Sequence, residues 1–170
     1  MLAARERFAA SADAETARLA LHDHLARVIG TLEPRTLGTY WPMRCEFNPI
    51  DAARDAGRPL ALPFCTRAPR QMSYRMWDGA APRARDECGI AASDGSEVVP
   101  DVVLAPCLGY TRGGWRVGYG GGYFDRFLAA HPHVTAVGVA WSVSEVDAGD
   151  YAPESHDRPM MLIVTERGVA

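Results

Sequence analysis

The sequence predicts an α/β fold in three layers, with helices on both faces of a mainly parallel central sheet. Three nearly unbroken apolar runs, at residues 101–108, 134–141 and 160–165, are typical of central strands that are covered on both faces. Helical patterns alternate with strand patterns along the chain, and this alternation implies right-handed crossovers between parallel strands. The predicted architecture is Rossmann-like, and 170 residues suit a single domain over residues 1–170.

The N-terminal part of the chain predicts a helix, a strand and a second helix. From about Asp13 to Leu32, apolar residues recur at helical spacing and form one stripe, which indicates an amphipathic helix. A β-rich run at 36–43 follows and is stopped by proline. Asn48 is then expected to cap a short helix that has Pro49 at its first position.

The middle of the chain predicts two strands, a long loop and a further helix. Residues 59–64 are a short apolar run, and residues 72–77 alternate in the way of a strand with two unlike faces. The stretch 78–100 is rich in Gly, Pro, Ser and acids, which favours a loop. Between the first two long apolar runs, the sequence YFDRFLAAH predicts a helix.

Composition excludes several classes of function. The formal net charge of -3 gives no excess positive field for nucleic acid or anionic lipid, so we expect neither as a partner. All eighteen basic residues are arginine, which rules out chemistry that needs a lysine amine, such as a Schiff base. No apolar run has the length of a transmembrane helix and the first residues lack a signal-peptide pattern, so a cytoplasmic location is expected.

The four cysteines are expected to be reduced, buried thiols. They are scattered along the chain, without a C-x-x-C pair, at Cys45, Cys65, Cys88 and Cys107. This spacing disfavours both a disulfide framework and a zinc site.

The stretch RVGYGGGYFDRF, residues 116–127, contains four glycines within five positions. It comes after a buried strand and before a helix, at the carboxyl edge of the sheet, where open α/β folds usually bind ligands. The N–H groups of Gly120, Gly121 and Gly122 and the N-terminus of the helix offer an anion site. Arg116 would add a guanidinium fork for phosphate oxygens. A structural glycine turn is the alternative interpretation.

The glycine stretch matches neither standard nucleotide motif. A dinucleotide-binding fingerprint needs glycine where Tyr123 stands, which disfavours a dinucleotide-dependent oxidoreductase, and a P-loop needs a lysine. Asp125 follows the glycines, and a carboxylate beside a phosphate site is what Mg²⁺ requires. An acid in the first turn of a helix is also a common partner of the helix dipole.

Residues 116–126 closely resemble the signature of the 5-formyltetrahydrofolate cyclo-ligase family, also called 5,10-methenyltetrahydrofolate synthetase. Residues 101–106 resemble the family's strand ending in proline, and residues 40–46 are similar to its N-terminal strand and acidic loop. Residues 156–159 and 163–166 resemble its C-terminal segment. The order and spacing of these segments agree with the family over most of the chain.

The resemblance implies an enzyme of one-carbon metabolism that takes two small molecules, ATP and 5-formyltetrahydrofolate, with Mg²⁺ as cofactor. We expect it to be a monomer. The products would be 5,10-methenyltetrahydrofolate, ADP and phosphate. In the mechanism implied, the formyl oxygen attacks the γ-phosphorus, folate N10 attacks the activated carbon, and phosphate leaves. Such a reaction mostly needs in-line positioning and neutralisation of phosphate charge, without a protein nucleophile.

The resemblance also implies a role for individual residues. The ATP phosphates would be held by Arg116, Gly118, Gly120, Gly121, Gly122 and Tyr123. Tyr119 and Tyr123 would lie near the folate and the reacting oxygen, Arg116 and Tyr123 would be catalytic, and Glu46 would bind the pterin. Asp125 and Asp157 match the acidic positions that the family assigns to magnesium.

One departure from the family lies in the N-terminal helix. The family's first helix usually carries a lysine and then an arginine that reach the nucleotide, whereas MLAARERFAA resembles the later part of that helix. Either the chain starts late or its nucleotide site is degenerate, and Arg5 or Arg7 would be a substitute ligand or a solvated charge.

The second departure is Cys88, which replaces an aromatic residue that helps to enclose folate; Trp77 would compensate or pack in the core. The alternative function is therefore a nucleotide- or folate-binding protein without ligase activity.

Overall fold

A computed structural model describes residues 1–153 and 157–170. Its helices are α1 (Leu2–Ala9), α2 (Ala14–Leu32), α3 (Ile50–Asp55) and α4 (Tyr123–Ala130). Its strands are β1 (Leu37–Gly38), β2 (Leu60–Arg67), β3 (Arg70–Trp77), β4 (Ala84–Arg85), β5 (Ala91–Ala92), β6 (Glu97–Val98), β7 (Val102–Pro106), β8 (Gly109–Tyr110), β9 (Arg116–Val117), β10 (Thr135–Val139), β11 (Leu162–Thr165) and β12 (Gly168–Val169). Two short 3-10 helices, Ser142–Ser144 and Ala148–Asp150, lie between β10 and β11.

The central sheet has eight strands in the order β12-β11-β10-β7-β1-β2-β3-β6. The five strands from β11 to β2 are parallel to one another. The edge strands are β12, which pairs antiparallel with β11, and β6, which pairs antiparallel with β3; β3 in turn pairs antiparallel with β2. The prediction of a mainly parallel sheet is therefore confirmed.

The two faces of the sheet carry different helices. Along β7, Val102 and Leu104 belong to the core cluster that contains residues of α2 and α3. Val103 and Ala105 point the other way and belong to the cluster that contains residues of α4. Because successive residues of a strand face opposite sides, this alternation gives three layers, as predicted. The predicted stripe of α2 is buried at Ala17, Leu21, Leu25 and Ile29.

The strands β1 and β7 lie side by side at the point where the chain reverses its direction across the sheet. From β1 the chain crosses through α3 to β2, and from β7 it crosses through α4 to β10, on the other side of the sheet order. Crossovers that leave in opposite directions open a crevice beyond the carboxyl ends of the two strands. The sequence segments that follow β1 and β7 are therefore placed at the usual ligand site of such a sheet.

The connection between β7 and the glycine stretch differs from the prediction. The glycines do not follow the buried strand directly, because β8 and β9 form an antiparallel hairpin between them. The turn of this hairpin includes Gly114, whose φ of 83° favours glycine. A backbone hydrogen bond of 2.9 Å from the N–H of Leu108 to the carbonyl of Val117 returns the chain to the end of β7. The hairpin thus brings Arg116 back beside Pro106.

The cysteines agree only partly with the prediction of buried thiols. All four are free; Cys65 and Cys107 are buried, but Cys45 is exposed and Cys88 is half-buried. Cys45 was wrongly predicted because it stands in a turn with a φ of 61°, outside any strand or helix that would bury it. Within the described residues, every helix is too short or too polar to span a bilayer.

Candidate active site

A cavity of about 830 Å³ opens at the carboxyl ends of β1 and β7. Residues 118–122, here called the glycine loop, form one wall together with Arg116. The segment after β1 forms another wall through Tyr40, Trp41 and Glu46. The predicted position of the glycine stretch at this edge of the sheet is therefore confirmed.

Glycine is required in the glycine loop for two physical reasons. Gly120 and Gly122 have φ angles of 79° and 62°, a conformation that side chains disfavour. At Gly118, an added Cβ atom would lie 2.6 Å from Nη1 of Arg116, so the guanidinium packs directly on the main chain. At Gly121, the same atom would lie 2.8 Å from the ring of Tyr123.

Arg116 and Asp125 form an ion pair on the wall of the cavity. Nη2 of Arg116 lies 3.1 Å from Oδ2 and 3.4 Å from Oδ1 of Asp125. Only 7% of the Arg116 side chain and 12% of the Asp125 side chain are exposed. Nη1 donates to the carbonyl of Pro106 at 3.5 Å, and the guanidinium lies 5.1 Å from the ring centre of Phe124. In the described part of the chain, Nε of Arg116 is buried and has no hydrogen-bond partner.

Asp125 and Asp157, the two acids implied for magnesium, line the same cavity. Oδ2 of Asp157 accepts a hydrogen bond of 2.9 Å from the hydroxyl of Tyr151. Burial and this hydrogen bond raise the pKa of Tyr151 to about 12. Across residues 1–153 and 157–170, no three His, Cys, Asp or Glu side chains are grouped so that they could hold a metal ion alone. His156, part of the C-terminal resemblance, lies outside the described residues.

Glu46 is half-buried and fixed by two hydrogen bonds. Its Oε2 accepts from the N–H of Met43 at 2.8 Å, and its Oε1 accepts from the hydroxyl of Tyr119 at 3.0 Å. Burial raises the pKa of the Glu46 carboxyl, and the two hydrogen bonds oppose this rise. The side chain therefore presents a positioned acceptor to the cavity.

Tyr123 contacts the residue that departs from the family. Its hydroxyl lies 3.1 Å from Sγ of Cys88 and donates to the carbonyl of Thr66 at 3.3 Å. Of the two roles left open for Trp77, the structure supports packing in the core, where Trp77 is buried. Trp41 lines the cavity instead, with its ring centre 6.3 Å from that of Trp77.

Two residues at or beside the cavity make contacts that sequence reasoning did not predict. The hydroxyl of Tyr151 donates a hydrogen bond to Asp157. Its segment is polar and has no helical or strand periodicity from which this contact could have been predicted. Arg5 is 1% exposed, lies on α1 and contacts Tyr119, so it is neither a solvated charge nor part of the cavity lining. Arg7 is exposed.

Comparison with known proteins identifies relatives of this arrangement. The model of the 5-formyltetrahydrofolate cyclo-ligase family matches residues 1–166. The structure of a 5,10-methenyltetrahydrofolate synthetase from Mycoplasma pneumoniae superposes with a TM-score of 0.73 at 16% identity, over 96% of this chain and 97% of that one. The synthetase from Aquifex aeolicus also gives 0.73, at 22% identity over 98% of this chain and 87% of that one.

A more distant structure shares the fold alone. The translation initiation factor eIF-2B of Pyrococcus horikoshii OT3 gives a TM-score of 0.53 at 12% identity, over 92% of this chain and 64% of that one. None of the curated proteins matches the chain. The family match covers nearly the whole sequence, and the solved synthetases share its sheet and helices. The chain therefore belongs to the 5-formyltetrahydrofolate cyclo-ligase family, a family of enzymes.

Proposed function

We propose that the protein converts 5-formyltetrahydrofolate to 5,10-methenyltetrahydrofolate with ATP and Mg²⁺, and releases ADP and phosphate. One observation carries the proposal: a single cavity of about 830 Å³ has a glycine loop with Arg116 on one wall and the acceptor Glu46 on another. An anionic phosphate chain and a heterocycle with N–H donors would thus fit side by side. The same proposal has the enzyme act in the cytoplasm, as a monomer, on these two small molecules.

The nucleotide would bind along the glycine loop. Main-chain N–H groups of Gly118, Gly120, Gly121 and Gly122 and the N-terminus of α4 are suited to phosphate oxygens. Arg116 is suited to the same role, because its side chain is held by Asp125 and Phe124 before any ligand arrives. A pre-positioned guanidinium loses little conformational entropy when it binds phosphate.

The folate would bind between the glycine loop and the segment after β1. Glu46 is a suitable acceptor for the N–H donors of the pterin, since its carboxylate is already oriented by Met43 and Tyr119. The rings of Trp41 and Tyr119 also line the cavity and supply apolar surface to it. The cavity volume lies within the range of about 300–1,000 Å³ that is usual for ligand pockets.

The residues present fit a magnesium ion bound together with phosphates. Mg²⁺ commonly takes one or two carboxylates, substrate phosphates and several waters rather than a cage made of protein alone. Asp125 and Asp157 line the same cavity and would supply the carboxylates. When bound, the ion would neutralise charge on the phosphates. Asp125 would then serve both the ion and Arg116.

The protein's own contribution to the reaction would be positioning and charge. The formyl oxygen would attack the γ-phosphorus and displace ADP, and folate N10 would then attack the activated carbon, lose its proton and expel the phosphate. Arg116 would stabilise negative charge on the transferring group, and Tyr123 would place its hydroxyl near the reacting oxygen. No protein nucleophile is needed, because the formyl oxygen and folate N10 are themselves the nucleophiles.

The proposal is tested by absorbance at the methenyltetrahydrofolate band. The purified protein is mixed with 5-formyltetrahydrofolate, Mg²⁺ and ATP, and the reaction is repeated without ATP and without Mg²⁺. We expect the band to grow only in the complete mixture. The absence of growth at saturating ATP, together with retained folate binding, would instead indicate a binding protein.

A further inference from the structure

Arg5 is an arginine on α1 whose side chain is almost completely buried, at 1% exposure for the residue. Its Nη2 donates a hydrogen bond to the hydroxyl of Tyr119, and its Nη1 donates to the carbonyl of Cys107 at 3.5 Å. Burying a cation is costly unless it is hydrogen-bonded, so these contacts fix where the guanidinium lies. Arg5 therefore joins the N-terminal helix to the glycine loop and to the end of β7.

The ring of Tyr119 is restricted little by its neighbours in the sequence. Tyr119 stands between Gly118 and Gly120, and 41% of it is exposed. The guanidinium groups of Arg5 and Arg44 lie 5.7 Å and 5.4 Å from the centre of the Tyr119 ring. Cations at such distances are attracted to the ring of a tyrosine. The ring is thus held by two arginines and its hydroxyl by one of them.

The Tyr119 hydroxyl connects Arg5 to Glu46 through two hydrogen bonds. It accepts from Arg5 and donates to Oε1 of Glu46 at 3.0 Å, while Oε2 is held by the N–H of Met43. A hydroxyl that accepts from a cation becomes a better donor to a carboxylate. Tyr119 thus links two residues that are distant in sequence, Arg5 at 114 positions and Glu46 at 73 positions.

We propose that Arg5 is a positioning residue of the folate site, which holds the Tyr119 hydroxyl against Glu46 and so orients the carboxylate that receives the N–H donors of the folate. This inference rests on the proposed function. Arg5 does not line the cavity, so its effect on the substrate passes through Tyr119. It is therefore distinguished from an arginine that binds the nucleotide directly.

The proposal predicts a pH dependence of folate binding. The groups that act on Glu46 are Tyr119, Arg5, Arg116, the N–H of Met43, Tyr40 and Cys107. Arg5, Arg116 and the two hydrogen bonds lower the pKa of Glu46, against the rise caused by burial. Binding requires the ionised carboxylate and is lost as the pH falls through this pKa. Loss of Arg5 raises the pKa, so the acid limb moves to higher pH.

The test compares Arg5→Gln with Arg7→Gln, an exposed arginine two residues along the same helix. The KM for 5-formyltetrahydrofolate and the KM for ATP are measured between pH 5 and 8. We expect Arg5→Gln to raise the folate KM about tenfold, the usual scale for loss of one charged hydrogen bond, and to move its acid limb upward. The ATP KM should stay within about twofold, and Arg7→Gln should behave as the wild type.

A second variant tests the same contact where Arg5→Gln fails to fold. Tyr119→Phe removes only a hydroxyl from a half-exposed ring, so the fold should persist, and it should move the acid limb in the same direction. The double variant should show less than the product of the two single effects, because both remove one contact. A raised ATP KM with an unchanged folate KM, or fully multiplicative effects, would overturn the proposal.

The same variants are measured for folate binding without ATP, by the fluorescence of the tryptophans, one of which lines the cavity at Trp41. Binding that weakens in Arg5→Gln and in Tyr119→Phe supports the positioning role even where the wild type shows no turnover. In that case only the proposed reaction fails. Wild-type-like binding in both variants would contradict the positioning role, whatever the turnover.

Discussion

The carboxylate of Asp125 has two partners: it forms an ion pair with Arg116, and in the proposed reaction it also binds Mg²⁺. Both side chains are nearly buried, at 7% and 12% exposure, and they are 3.1 Å apart. In the proposed reaction Asp125 also supplies oxygen to Mg²⁺, whereas Arg116 supplies charge to the phosphates. Each role requires that the carboxylate be ionised and fixed. A substitution at Asp125 is therefore expected to affect both catalysis and folding.

We predict that Asp125→Ala lowers turnover about 100-fold or more and also lowers the free energy of unfolding by about 3 kcal/mol. The first effect follows from loss of a group that organises transition-state charge. The second follows because Arg116 is left as a nearly buried charge without its acid, a change that commonly costs about 3–5 kcal/mol. Turnover is measured against Mg²⁺ concentration, and stability is measured by urea unfolding.

The matched control for Asp125→Ala is Glu15→Gln, which removes the acid of an exposed ion pair with Arg18. Because both side chains of that pair are solvated, the unfolding midpoint should be almost unchanged. Near-normal turnover of Asp125→Ala would remove Asp125 from the site. An unchanged unfolding midpoint would show that its pair with Arg116 contributes little to folding.

At the scale of single residues, local pattern identified the side chains of one continuous segment, the family resemblance added the distant Glu46 and Asp157, and both missed Tyr151 and the buried position of Arg5. Arg116, Tyr123 and Asp125 stand in one glycine-rich stretch, and the structure places all three on the cavity. Arg5 depends on a contact with Tyr119, 114 positions away, and no local pattern distinguishes it from the exposed Arg7. Tyr151 likewise could be recognised only from its hydrogen bond to Asp157, because its own segment shows no periodicity.

At the scale of elements, the glycine loop and the hairpin before it act together. The hairpin of β8 and β9 aims Arg116 at the end of β7, and Gly118 then leaves room for its guanidinium. Sequence reasoning predicted the loop but not the hairpin. Strands of two residues are too short to show an alternating pattern, although the Gly113-Gly114 pair between them is a turn signal that the sequence analysis did not use.

We predict that Gly118→Ala raises the KM for ATP at least about tenfold with little change in the folate KM. The added Cβ would lie 2.6 Å from Nη1 of Arg116, so the guanidinium must move away from the loop. Since Gly118 does not have a positive φ, the change should not strain the backbone. Both KM values are measured by the absorbance assay described above.

The control for Gly118→Ala is Gly149→Ala, where an added Cβ meets no atom within 4 Å and φ is not positive. Both KM values of this variant should match the wild type. If Gly118→Ala leaves the KM for ATP unchanged, then the position of Arg116 does not determine nucleotide binding. A collapse of the urea midpoint would instead indicate that the hairpin, rather than the ligand site, was disturbed.

At the scale of the whole molecule, the centre of the sheet was predictable and its edges were not. The apolar runs at 101–108, 134–141 and 160–165 became β7, β10 and β11, because strands covered on both faces need continuous apolar sequence. The edge strands β6 and β12 have two residues each, and their pairing depends on neighbours that are distant in sequence. The crevice between β1 and β7 follows from the order of the strands in the sheet, which periodicity along the chain does not determine.

The reactivity of the four cysteines tests how tightly the whole molecule is packed, because two of the thiols are buried and two are accessible. We predict that iodoacetamide at pH 8 modifies Cys45 and Cys88 in the native protein and spares Cys65 and Cys107. The thiolate is the reactive form, and burial raises the pKa of Cys107 to about 12, which leaves about one molecule in ten thousand ionised at pH 8. Burial and the neighbouring Asp86 also raise the pKa of Cys65.

Labelling is followed by mass spectrometry of peptides, with the protein in urea as the control in which all four cysteines should react. In the native protein, 5-formyltetrahydrofolate should protect Cys88, which lines the cavity, and should leave Cys45 reactive, because Cys45 is exposed outside it. Early modification of Cys107 would mean that the sheet opens beside Arg5 more readily than its packing suggests. Equal labelling of Cys88 with and without the folate would place the substrate away from Tyr123, and would contradict the proposed orientation of the ligand in the cavity.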